Sequence, residues 1–125
     1  METQAELENT IGTKEKEMKR LEPKKVKIVK VSVEPVGKEK NKKVVCQVEH
    51  PDADQLIAIS SVAYLKDKSV KNTGLWYNLD EDGKLQKGSA LVIFLQSTNA
   101  EKIIELEGRE VETELDGNYL CFKAY

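Results

Sequence analysis

The run "KKVKIVKVSVEPV", Lys24 to Val36, changes phase halfway along. Val26 and Ile28 share one side of an extended chain, whereas Val29, Val31 and Val33 share the other. Side chains alternate strictly across a strand, so a regular strand cannot turn both sets toward one core. The run is rich in β-branched residues, which fit strands better than helices. The spacing therefore predicts a first strand with a bulge or sharp coil near Ile28–Val29.

Later segments extend this β-rich reading. "VVCQVEH" (Val44–His50) alternates Val44, Cys46 and Val48 against Gln47 and Glu49 and predicts the second strand. "QLIAISSVAYLK" (Gln55–Lys66) predicts a third. "GLWYNL" and "KLQK" flank Asp-Glu-Asp-Gly, and Asp82-Gly83 is a hairpin signal because glycine accepts positive φ. "SALVIFLQS" opens on an N-cap serine and predicts a short buried helix. A second helix is expected over "TNAEKIIELEG", with Thr98 and Glu101 as a capping box, Ile103, Ile104 and Leu106 as its apolar face, and Gly108 as its stop. "REVETEL" points Val111, Thr113 and Leu115 inward and Glu110, Glu112 and Glu114 outward. "DGNY" turns the chain into a closing strand, "YLCFKAY".

A bent first strand, with a helix between the third and fourth strands, resembles the OB-fold, a small Greek-key barrel. The resemblance is architectural and covers Lys24 to Tyr125. It implies a mainly β member of the α+β class, with a short helix pair and an extra hairpin at Trp76. Residues 1–23 read apart from this single domain of residues 24–125. Leu7, Ile11, Met18 and Leu21 form too sparse a stripe for a firm helix, and Pro23 closes a flexible or weakly helical arm. A chain of 125 residues can bury a core without metal or disulfide staples. Cys46 and Cys121 have no C-x-x-C partner and are expected as buried free thiols. No apolar run reaches membrane-spanning length, and the N-terminus lacks a secretory core, so a cytoplasmic location is expected.

Chemistry is thin. Asn78, Asp80, Asp82 and Gly83 begin like a calcium loop, but the twelfth position is Ser89, which has no carboxylate. A hairpin tip without metal is the expectation. The sole histidine, His50, sits at a strand end before Pro51 and reads as an exposed polar side chain without a chemical role. Cys46 and His50 lie four residues apart on one strand, about 13 Å, too far for a nucleophile pair. With no second histidine, no G-x-S-x-G and no phosphate-binding glycine loop, neither catalysis nor a cofactor is expected.

Charge is unevenly spread. Residues 1–75 carry 15 basic and 12 acidic side chains, and residues 76–125 carry 5 and 10. Thr13–Lys43 alone holds 12 basic and 5 acidic residues. Phosphate binding needs such cations, and base stacking needs an exposed aromatic. Lys25, Lys27, Lys30, Lys42 and Lys43, with Trp76 and Tyr77, are therefore the candidate contacts for single-stranded nucleic acid. Alternation places either Trp76 or Tyr77 outward. The row Glu110, Glu112, Glu114 opposes nucleic acid on one face. The alternative is a protein-interaction module docking through the arm or the Trp76 hairpin.

Overall fold

The computed structural model describes residues 21–37 and 41–125. The expected arm falls almost wholly on residues 1–20, outside the described residues.

The first strand, β1 (Val26–Pro35), pairs antiparallel with β2 (Lys42–Glu49), and their register slips between Ile28 and Lys30. Val29 is the extra residue. It absorbs the phase change, so Val31 falls on the same side as Val26 and Ile28 and packs on the core. The bulge is held from across the fold: the Val31 amide donates to Glu107 Oε2 at 3.1 Å. The Gly108 amide bonds the Ile28 carbonyl at 2.7 Å, and the Ile28 amide bonds the Arg109 carbonyl at 2.9 Å.

The stretch expected as one third strand is broken at Ser60 into β3 (Ile57–Ile59) and β4 (Ser61–Lys66). There the chain leaves one sheet for another, and the Ser60 carbonyl accepts from Leu75 instead, at 2.8 Å. A strand not anticipated, β5 (Ser69–Gly74), folds back on β4. After the helix α1 (Ala90–Ser97) come β6 (Glu110–Val111), β7 (Thr113–Asp116) and β8 (Tyr119–Lys123). One sheet has the order β3-β2-β1-β6 and the other β5-β4-β8-β7. Within the second sheet only β4 and β8 run parallel. The two sheets share continuous chain at Ser60 and at Glu112 and curl into a half-barrel, giving a small, mainly β architecture.

The helix plugs the curl. Ser89 Oγ accepts from the Val92 amide at 3.3 Å, the expected N-cap. Leu91, Phe94 and Leu95 are buried, and the Phe94 ring stacks on Phe122 with centroids 4.6 Å apart. The expected second helix is only a 3₁₀ turn, Ile103–Leu106, and the Thr98–Glu101 box does not form. Thr98 Oγ1 instead donates back to the Leu95 carbonyl, and Glu105 Oε1 accepts from the Glu101 and Lys102 amides at 2.7 and 3.0 Å. Leu106 is buried and Ile103 packs against the core, but Ile104 is 59% exposed, because residues three apart share one side of a 3₁₀ turn and Ile104 falls off that side.

Two further expectations are corrected, those for Leu115 and His50. Leu115, expected inward, is 48% exposed, since it stands opposite Leu120 just before the Gly117 turn, past the end of the core. His50, expected at the surface, is buried at 4% exposure. Its Nε2 lies 2.7 Å from the Glu22 carbonyl and its Nδ1 accepts from the Asp52 amide at 3.0 Å. These bonds use both ring nitrogens and fasten the chain entering β1. The two thiols are free and buried, but on different faces: Cys46 joins the central core, while Cys121 alternates with Phe122 and points away from it. No described helix is long and apolar enough to cross a membrane.

Candidate functional site

Where β3 ends, a different segment takes its place beside β2. The Val44 amide bonds the Leu75 carbonyl and the Tyr77 amide bonds the Lys42 carbonyl, both at 2.8 Å. Trp76 thus forms an antiparallel bridge with Lys43. Alternation then decides the faces. Leu75 is fully buried and Tyr77 packs against the core, so Trp76 lies on the outer face, half-buried. Lys43 Nζ sits 5.2 Å from the indole centroid, a cation–π arrangement. Gly74 makes room for it: a Cβ there would lie 2.5 Å from Lys43 Cε and 3.0 Å from Trp76 Nε1.

The ribbon continues into the opening hairpin. The Gln86 amide bonds the Asn78 carbonyl at 3.0 Å, and Leu79 bridges Leu85. The Asp80–Asp82–Gly83 tip is a turn closed on itself. Asp80 Oδ1 accepts from the Asp82 and Lys84 amides at 2.9 and 3.0 Å, and Gly83 has φ +76°. The sequence predicts strands on both sides of this tip; the structure has isolated bridges there instead. Among the described residues no group of three or more His, Cys, Asp or Glu side chains is placed to hold a metal ion.

Trp76 lines a concavity of about 310 Å³ with Tyr64, Asn78, Gln86 and Lys87, floored by Ser89 to Leu91 at the start of α1. No acidic side chain lines it. Tyr64 comes from β4, where Lys71 of β5 is its cross-strand partner on the same face. Two aromatics and Lys87 therefore line one hollow, while Lys43 lies over the Trp76 ring and Lys71 stands opposite Tyr64 across the β4–β5 ladder.

The lysines singled out in the sequence divide into two groups. Lys42 and Lys43 lie beside the Trp76 segment. Lys25 and Lys27 do not: Lys25 Nζ is 3.8 Å from Glu112, and Lys27 pairs in register with both Glu49 and Glu110. Lys30 stands opposite Gln47, on the outer side of the first sheet. Neighbouring Lys24 is held by Asp52 at 2.7 Å, and this bond keeps the Asp52 carboxyl below its ordinary range. Tyr64 and Lys87 were missed. Lys71, one of the lysines that lead into Trp76 in the sequence, comes to Tyr64 through the β4–β5 pairing, for which local alternation gives no sign.

Comparison with protein-family models, curated proteins and solved structures finds no match.

Proposed function

We propose that the chain is a non-catalytic, OB-like domain that binds single-stranded nucleic acid in the hollow between Trp76 and Tyr64. Three features support the OB reading: β1 pairs with both β2 and β6, β4 runs parallel to β8, and the helix precedes β6. The functional reading rests on one observation, two aromatic side chains lining a hollow without carboxylates, with Lys87 in its wall, Lys43 over the Trp76 ring and Lys71 opposite Tyr64. Aromatic faces stack bases without regard to sequence, and lysines neutralise the phosphates between them. Lys25 and Lys27 contribute little, because acidic neighbours on β2 and β6 already balance them.

Fluorescence titration of labelled single-stranded oligonucleotides tests this. Binding at about 50 mM salt should quench Trp76 and weaken as salt rises, with a log–log slope near −2 for about three phosphate contacts. Trp76→Ala should weaken binding by about 1–3 kcal/mol and spare the slope. Lys43→Ala with Lys71→Ala should flatten it, and Lys25→Ala with Lys27→Ala should not. Absence of binding at low salt would leave the protein-interaction reading. One feature favours that reading: Leu65 and Val70 stand exposed side by side across the β4–β5 ladder.

A further inference from the structure

We propose that the hollow reads base identity, through the paired carboxamides of Asn78 and Gln86, and that it prefers adenine. The inference rests on the nucleic-acid reading above and goes beyond it: stacking and lysines alone give a site indifferent to sequence.

The argument starts from the ribbon. Trp76 and Asn78 are two residues apart on an extended segment, so their side chains leave the same face about 6.8 Å apart. Gln86 is held opposite Asn78 by its amide bond to the Asn78 carbonyl at 3.0 Å, next to the Leu79–Leu85 bridge. Directly opposed residues of an antiparallel pair also share a face, with Cβ atoms about 5 Å apart. Asn78 and Gln86 therefore stand side by side, one step along the ribbon from the indole. All three line the same concavity. Both amides are exposed, whereas Leu75, Tyr77 and Leu85 on the other side pack inward.

A neutral carboxamide cannot neutralise phosphate. It offers one acceptor oxygen and two N–H donors in a plane. That set complements an edge carrying a donor next to an acceptor. Every base of a single strand has such an edge, but adenine alone offers it on both sides of one amino group, N6 beside N7 and N6 beside N1, and Asn or Gln pairs with the first bidentately. The fixed backbone under both amides limits where the planes lie. A base stacked on Trp76, or the base following it, turns its edge toward this pair.

The test is a set of homopolymer oligonucleotides, oligo(dA), oligo(dC) and oligo(dT), titrated against the full chain and against Asn78→Ala, Gln86→Ala and the double variant. The intact chain should bind oligo(dA) about tenfold or more tightly than the others. Each single variant should reduce this preference, and the double variant should bring the three affinities within about twofold. The salt slope should not change in any variant, because no phosphate contact is lost. Asn78→Gln keeps the donor–acceptor set and should retain part of the preference. Equal binding of all three oligomers, a preference for another base, or an adenine preference that survives the double variant would each overturn the inference while leaving the binding site standing. Absence of binding to every oligomer would remove the underlying reading instead. A variant that loses the Trp76 quench together with its fold, seen by circular dichroism, is replaced by Gln86→Glu, whose carboxylate should invert the preference toward cytosine.

Discussion

Gly74→Ala separates two opposing effects at the site. The new methyl group would lie 2.5 Å from Lys43 Cε and 3.0 Å from Trp76 Nε1, well inside the 3.5–4.0 Å at which carbon atoms rest. The lysine end is flexible and swings away; the half-buried indole shifts by a few tenths of an ångström. Losing the cation–π contact costs about 0.5–1 kcal/mol at an exposed site. Against this, Gly74 is not among the glycines with positive φ, so alanine suits its backbone and restricts the unfolded chain, a gain of about 0.4–1 kcal/mol. The two nearly cancel, and the net change should stay within about 1 kcal/mol. The Trp76 emission spectrum should change nonetheless, because its cation has left. A double-mutant cycle resolves the terms. In a Lys43→Ala background only the Trp76 contact at 3.0 Å remains, so Gly74→Ala should be more favourable there than in the intact chain by the cation–π contribution, about 0.5–1 kcal/mol. Urea denaturation followed by circular dichroism reads all four stabilities. A loss above about 2 kcal/mol in both backgrounds would refute the reasoning, since glycine would then be required by the backbone or by Trp76 and not by the lysine.

Phe94→Ala removes the helix's half of the Phe94–Phe122 stack and should cost about 3–5 kcal/mol in the same denaturation assay, whereas Phe94→Leu should cost clearly less. Glu105 is held below its ordinary 4.5 chiefly by the amides of Glu101 and then Lys102, so its contribution is present above that value and lost as pH falls through the lowered one; acid titration should show Glu105→Ala losing that part of the acid dependence. Burial pushes the Cys46 thiol from 9.0 up to about 12 and Cys121 up to about 11, so both should resist thiol reagents at neutral pH, and stability should be full below pH 9.0 and decline as pH rises from there. His50→Phe keeps an aromatic ring in place but leaves the Glu22 carbonyl and the Asp52 amide without their partner, and thermal melts should report a loss of about 1–3 kcal/mol.

Features that depend on near neighbours in the chain were legible. The valine phase change marks the bulge at Val29, Ser89 marks the helix start, and Asp82-Gly83 marks the turn. Features that depend on distant partners were not. β5 is polar and exposed over most of its length, and its turn uses Asp67 and Lys68 at φ +52° and +67° where a glycine would normally advertise it. The break at Ser60 shifts the apolar phase from Ile57 and Ile59 to Val62 and Tyr64, but a phase shift alone does not separate a bulge within one sheet from a crossing between two. His50 is buried because Glu22 arrives from 28 residues upstream. The candidate site mixes both kinds of information. Alternation sets Trp76 and Tyr77 on opposite faces, but only tertiary structure turns Trp76 outward, brings Tyr64 to it and sets Lys25 and Lys27 among carboxylates.

The position of β8 has a consequence for synthesis. It lies between β4 and β7 and carries Phe122, the ring on which Phe94 stacks. β4 ends at Lys66 and β8 begins at Tyr119, so a chain growing from its N-terminus makes β4, β5 and the helix long before the strand that joins them. During that interval β4 has an open edge and Phe94 lacks its partner. Open edges are templates for pairing with other chains, and neighbouring ribosomes on one messenger hold identical edges close together. The nascent polypeptide is therefore the aggregation-prone species, and slowing translation after Lys66 should lower the soluble yield without altering the stability of the finished protein.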